Sequence, residues 1–432
     1  MVFIYLQLGV LFLILTRGIV WRGIVSSIKH MLRNREDAKA AHHVSHHHAF
    51  FAALAATVGV GNLAGVGTAI HLGGPGALFW MWVSALLGMS FRMSSVYWAV
   101  KMGKHVDDND PHLFASPMLY MVKLLDKPWK GLATGLAILL FVNGMVMANM
   151  IQSNSVAHAM TGEIGSANFG IALMMAGMVG LVIIGGMQSI IKFAATIAPW
   201  MILAYLATGW FILASDPINT LEVLGSVFYY AFNPYSFAGG VIGYTIMQTM
   251  QYGISRGIFS HGSGMGFAAF WQGANHDHPS RSAFLAGAVP LIDTLVVCST
   301  TGLVILSADM WLERTGAFLT VSSFHSFLGE PSLVFITCCL VVFAFTTIIS
   351  WAHFGERCFQ YLGGKNVMNF RWLFVAVCFI GPFLPLVSLW ALGDIIIGCM
   401  ILIHMIPLTY IVIRHLNTMK KDLQDGIDHP GI

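Results

Sequence analysis

Gly59-Val60-Gly61-Asn62, in the middle of the apolar segment 49–72, is the stretch on which the fold turns. A second glycine-rich run, Gly253-Ile254-Ser255-Arg256-Gly257 continuing through Ser260-His261-Gly262-Ser263-Gly264-Met265-Gly266, interrupts the apolar segment 236–275. Hydrocarbon offers no partner to a freed backbone N–H or C=O. A bilayer helix therefore tolerates such a break only where the unwound backbone faces a cavity. A pair of interrupted helices in corresponding halves of a membrane protein points to a transporter's substrate site.

The surrounding sequence fits a bilayer. Of 432 residues, 57% are hydrophobic and 9% charged, and mean hydropathy is +0.75, whereas soluble domains run near 25% charged. A span needs about 20 apolar residues to cross roughly 30 Å of hydrocarbon. Eleven segments qualify: 2–18, 49–72, 77–101, 131–160, 168–187, 192–214, 236–275 (broken), 283–307, 331–353, 372–388 and 391–414. The first lacks a basic leader and a small-residue cleavage site, so it reads as a retained helix. The six cysteines lie in or beside spans without metal spacing and read as small apolar residues.

Charge placement orients the chain. With eleven spans, 19 of the 22 Lys and Arg fall in loops on one side, and Arg314 stands alone on the other. The positive-inside rule makes the basic side cytoplasmic, with the N-terminus outside and the C-terminus inside. Without the first helix ten spans remain, broken in the first and sixth. Two five-helix halves must enter the membrane from opposite sides, as an inverted repeat does. The expected units are 1–48 (first helix and cytoplasmic loop), 49–214 and 215–414 (the two repeats) and 415–432 (a frayed polar tail). The long loops 19–48 and 102–130 are expected to carry interfacial helices.

At the first break the N–H groups of the outer half-helix can hold a carboxylate without a basic side chain. Asn62 both donates and accepts there. Of Gln152-Ser153-Asn154-Ser155, four polar residues that cannot share one helix face, Gln152 is expected to reach the cavity. Arg92, Arg256 and Asp293 lie within spans, where structural pairing is the first expectation and gating or substrate anchoring the second. Thr346 and Thr347 can supply oxygens to a cation or back-bond to their own helix. His42, His43, His46, His47 and His48 read as interfacial histidines, with a metal site the lesser reading.

With these residues assembled, the sequence resembles the alanine/glycine:cation symporter family, the sodium:alanine symporters, over nearly its whole length. The resemblance is carried by Ala53-Leu54-Ala55-Ala56-Thr57-Val58-Gly59-Val60-Gly61-Asn62-Leu63-Ala64-Gly65, Gly73-Gly74-Pro75-Gly76, Gln152-Ser153-Asn154-Ser155, Ser255-Arg256-Gly257-Ile258-Phe259-Ser260, Ile292-Asp293-Thr294, and Trp351 with Gly355-Glu356. It implies an all-α, leucine-transporter-type fold, one helix ahead of a five-plus-five core, in a bacterial or archaeal plasma membrane. It implies symport of a small neutral amino acid such as alanine or glycine with sodium or protons, and no cofactor, enzymatic activity or nucleic acid. The implied substrate residues are Gly59, Gly61, Asn62, Gln152, Ile258 and Trp351. The implied cation site is Ala55, Val58, Phe343, Thr346 and Thr347.

The chain departs from the family pattern at Val60 (usually threonine), His261-Gly262 (Asn-Glu), Ser95 (acidic) and His404 (asparagine). Two intramembrane carboxylates are thereby lost, and His261, His353 and His404 bring protons forward as the coupling ion. Two other classes compete. One is a ligand-binding sensor or non-sodium carrier on the same fold. The other is an intramembrane hydrolase using Ser263, which would need a base held by a third group.

Overall fold

The structure, a computed structural model, describes residues 1–33, 46–103, 116–161, 169–184, 187–237, 242–272 and 279–428. It is helical except for one short hairpin. In chain order the helices are α1 (Val2–Thr16), α2 (Ile19–Arg33), α3 (His46–Thr57), α4 (Ala64–Gly73), α5 (Ala77–Gly103), α6 (Pro117–Leu124), α7 (Gly131–Met145), α8 (Ile151–Thr161), α9 (Phe169–Ile184), α10 (Met187–Ser215) and α11 (Pro217–Phe232). Strands β1 (Tyr235–Phe237) and β2 (Ile242–Tyr244) pair antiparallel, Tyr235 opposite Tyr244. There follow α12 (Ile246–His261), α13 (Ala268–Gln272), α14 (Pro279–Pro290), α15 (Ser299–Ala308), α16 (Gly316–Leu328), α17 (Glu330–Tyr361), α18 (Val367–Ile380), α19 (Leu386–Arg414) and α20 (Leu416–Asp428). The π-helical turns Val146–Met150 and Leu291–Cys298 join α7 to α8 and α14 to α15.

Among the described residues, four continuous helices are long and apolar enough to cross a membrane: Lys127–Thr161, Pro279–Ala308, Glu330–Tyr361 and Leu386–Arg414. Three bent pairs bring the candidates to as many as seven, short of the eleven expected: Val2–Thr16 with Ile19–Lys29, Phe50–Thr57 with Val60–Gly73 (bent by 57°), and Pro199–Ser215 with Pro217–Phe232. Large apolar side chains such as Trp200, Trp210, Phe211 and Leu181 face outward, as a lipid-bathed surface requires.

The expected sixth core segment, 236–275, begins later than its hydropathy suggests. Thr245 caps α12, accepting from Gln248 N–H at 3.2 Å while Gln248 Oε1 accepts from Thr245 N–H at 3.0 Å, and the residues before it form the hairpin. Helices occupy parts of the long loops: α2 turns 71° away from α1, and α6 starts at a Ser116 cap followed by Pro117. Residues 416–428 of the tail are not frayed but form α20. Met419 and Leu423 of α20 are fully buried, and Asp422 holds Lys101 at 2.6 Å and Tyr97 OH at 2.7 Å.

The helix α5 runs through the middle, packed by α1, α12 and α14. Its closest approach to α12 uses glycines: a Cβ on Gly253 would lie 2.7 Å from Trp80 Cβ, and one on Gly257 3.2 Å from Met81 Cα. These two glycines, expected to open the second break, instead let an unbroken helix lie against its neighbour.

Candidate functional site: two helix breaks around one cavity

Unwinding at the first break is confined to a few residues. α3 ends at Thr57, Gly59 takes φ −152° and ψ −152°, a single 3-10 turn spans Val60–Asn62, and α4 resumes at Ala64. The freed N–H groups are not bare. Gly59 N–H donates to Asn62 Oδ1 at 2.8 Å and Val60 N–H to Gln152 Oε1 at 3.1 Å. Gln152 is held in turn by its own helix, its Nε2 donating to Met147 O at 3.4 Å within the π turn. That turn was invisible in the sequence, because π geometry has no residue signature; such turns cluster at functional sites.

The second break is shorter than expected. α12 continues unbroken to His261, and the chain turns over residues 262–267, where Gly262, Gly264 and Gly266 take φ of 62°, 90° and 93°. Only glycine adopts such values without strain. Two histidines pin this turn. His261 Nδ1 accepts from Ser263 N–H at 3.1 Å, and His404 Nδ1 donates to Gly264 O at 2.6 Å. The far nitrogens face Ser84 Oγ at 3.1 Å and Tyr120 OH respectively. With all four ring nitrogens engaged, both imidazoles serve as struts. Ser263 Oγ has no hydrogen-bond partner, so no base addresses it as a nucleophile would require.

Between the breaks lies a cavity of about 30 Å3 lined by Ala56, Thr57, Gly59, Gly61, Gln152, Phe259, Ser260, Phe267, Thr347 and Trp351, with Asn143, Met147, Ala148 and Met265. That is room for one or two waters. Of the expected substrate residues, Gly59, Gly61, Gln152 and Trp351 line it. Asn62 stands one layer back, and Ile258 is fully buried outside the lining, its carbonyl taken by Gly262 N–H at 2.7 Å. The aromatic wall comes from Phe259, one residue on. In Gln152-Ser153-Asn154-Ser155 only Gln152 reaches the cavity; Asn154 bonds Gly381 O at 2.9 Å and Leu384 O at 2.7 Å.

Behind Asn62 and Ser260 stands Asp293, on the second π turn. It accepts from Asn62 Nδ2 at 2.8 Å, Ser260 Oγ at 2.7 Å and Thr294 Oγ1 at 2.9 Å. Cys298 Sγ lies 3.3 Å from both Asn62 Nδ2 and Ser260 Oγ. The pairing expected of Asp293 does not occur, because three neutral donors satisfy it. Arg256 is paired, with Asp394 at 2.7 Å, and its guanidinium carbon sits 4.2 Å from the Trp390 ring centre.

The five expected cation residues fall into two groups. Thr347 Oγ1 reaches across from α17 to Val58 O, 3.5 Å away, joining two helices at the break. Thr346 Oγ1 turns back to Val342 O at 3.0 Å and Phe343 O at 3.1 Å, which is the back-bond. Ala55 and Phe343 are fully buried nearby on α3 and α17. His42 and His43 lie outside the described residues, and of His46, His47 and His48 only the backbone is described. Among the described residues no His, Cys, Asp and Glu group gathers as a metal site.

Comparison with known proteins agrees with this geometry. The sequence profile of the sodium:alanine symporter family matches residues 1–430. The sodium/alanine symporter AgcS of Methanococcus maripaludis is 36% identical over 396 residues, covering 88% of this chain and 85% of that protein. The probable sodium/glutamine symporter GlnT of Bacillus subtilis is 30% identical, covering 91% and 81%. In structure, MhsT, solved in complex with L-phenylalanine, superposes with a TM-score of 0.56 over 89% of this chain and all of that one, at 14% identity. That likeness gives the leucine-transporter-type fold. The relatives are symporters, not enzymes, and the apolar helices make this a multi-pass membrane protein. The chain belongs to the sodium:alanine symporter family.

Proposed function

We propose that the protein is a secondary transporter that carries a small neutral amino acid, such as alanine or glycine, together with a cation by alternating access. The observation that carries this reading is the pair of N–H groups at Gly59 and Val60, each held by a carboxamide oxygen beside the cavity. A substrate carboxylate replaces a neutral acceptor by a charged one, and charge-assisted bonds are about twice as strong. Phe259, Phe267 and Trp351 wall the cavity closely, so it must widen beyond its present one or two waters even for a short side chain.

The cation is assigned to the α3–α17 seam, with Val58 O and Thr347 Oγ1 as first ligands and Ala55, Phe343 and Thr346 completing the shell after Thr346 rotates. Occupancy there ties the broken helix to α17 and biases the conformational equilibrium. Asp293 favours a second reading in which a proton couples transport, since it is a buried carboxylate whose direct bonds all come from neutral donors, with Arg92 near but not bonded to it. The halves 49–214 and 215–414 are proposed as the inverted repeats, in a bacterial or archaeal plasma membrane with the N-terminus outside. Asn62→Ala and Gln152→Ala, reconstituted in proteoliposomes, test the pocket. Both must lose alanine and glycine uptake at normal expression; unchanged uptake in both removes the assignment.

A further inference from the structure

Among the described residues two arginines are buried between the helices, and they are held differently. Arg256 has a carboxylate partner. Further ion pairs join Lys101–Asp422, Arg371–Glu356 and Arg414–Asp126, and Arg92 takes part in none of them. It is 2% exposed. From α5 it reaches the last residues of both interrupted helices. One terminal nitrogen donates to the carbonyl of His261, where α12 ends, at 2.7 Å; the other donates to Thr57 Oγ1, where α3 ends, at 3.2 Å. Its guanidinium carbon lies 5.5 Å from the Phe267 ring centre, and its Nε has no partner.

A helix C-terminus carries about half a negative charge. Two such ends meet here, away from bulk water, at a single guanidinium. An arginine buried without a paired carboxylate would be costly anywhere else. At this point the helix ends add their partial charges to that of the Asp293 carboxylate, which lies near enough to attract Arg92 without bonding it. We propose that Arg92 is a positioning residue, the resident counter-cation of both breaks, holding the cavity walls Thr57 and Phe267 in the geometry that receives substrate. Because the charge is built in, this point takes no ion from the gradient. Remove the charge, and an external cation is drawn to the same place. The consequence for transport rests on the symport reading above; the electrostatic role does not.

The test compares Arg92→Gln with Arg92→Lys in proteoliposomes, measuring alanine uptake against sodium. The neutral variant is expected to raise KM by about tenfold or more, the loss of a charged hydrogen bond. Its sodium Hill slope is expected to rise by about one, because one more ion is now required. The lysine variant keeps the parental slope. A parental KM and slope in Arg92→Gln, or a lysine variant that behaves like it, overturns the proposal. Should Arg92→Gln not fold, Thr57→Val decides: it keeps the charge and loses the bond from Arg92 along with the hydroxyl's back-bond to Ala53 O, so KM must rise at an unchanged slope, and any other result overturns it. If the parent transports no amino acid, the symport reading falls by itself and hydrogen exchange settles the rest. Arg92→Gln must then speed exchange at 57–63 and 261–267 together, with Arg92→Lys slow; acceleration at one break or neither refutes the role.

Discussion

Gly59→Ala puts a Cβ inside contact distance of Thr347 Oγ1, and 3.3 Å from both Thr347 Cβ and Gln152 Oε1. The backbone tolerates the change, since φ is −152° and lies outside the left-handed region. The effect is therefore steric, and it falls on the contact between Thr347 and Val58 O. Forcing extra carbon into a packed interior costs about 1–3 kcal/mol. If that strain is relieved by pushing Thr347 off Val58, cation affinity falls by roughly 5- to 150-fold, at 1.4 kcal/mol per tenfold. The assay is alanine uptake in proteoliposomes as a function of sodium, with the melting temperature of the same preparation. Gly59→Ala/Thr347→Ala separates strain from chemistry: removing the hydroxyl relieves the clash, so the melting temperature recovers towards the parent while sodium dependence does not. A Gly59→Ala protein with parental half-saturation by sodium refutes the reasoning, as does a double variant no more stable than the single one.

Other consequences follow from neighbouring contacts. Phe259→Ala enlarges the cavity and should admit longer side chains in a competition-uptake assay, whereas Ile258→Ala, outside the lining, should lower stability by about 2–5 kcal/mol and leave the substrate range unchanged. Asp394→Asn strands the buried Arg256 guanidinium and should lower the melting temperature more than the paired change Arg256→Met/Asp394→Leu, which removes both charges. Leu423→Ala should expose the C-terminal helix to limited proteolysis far more than Asp422→Asn. The first loses a fully buried side chain worth about 2–5 kcal/mol, and the second a partly exposed ion pair worth at most about 1 kcal/mol.

The first break was legible because Asn62 between small residues at mid-membrane has no packing rationale, and its side chain indeed closes the turn onto Gly59. The second was drawn too wide on its N-terminal side, for a physical reason. Glycine serves two ends, close helix packing and positive φ, and sequence does not distinguish Gly253 and Gly257, which do the first, from Gly262, Gly264 and Gly266, which do the second. Gln152 was legible as the one polar residue of its run able to face a cavity. The turns that carry it and Asp293 were not, since a π turn depends on one inserted residue among ordinary helix formers. Arg92 was expected to find a carboxylate. It found two helix ends instead, a partner that exists only after the chain has folded.

The most direct measurement is the thermal stability of the purified protein with alanine, with sodium, and with both. A cation at Val58 and Thr347 orders the same broken helix that receives the carboxylate, so the two ligands together must raise the melting temperature by more than the sum of their separate shifts. Strictly additive shifts, or no response to any small neutral amino acid in either condition, would contradict a shared site at residues 59–62.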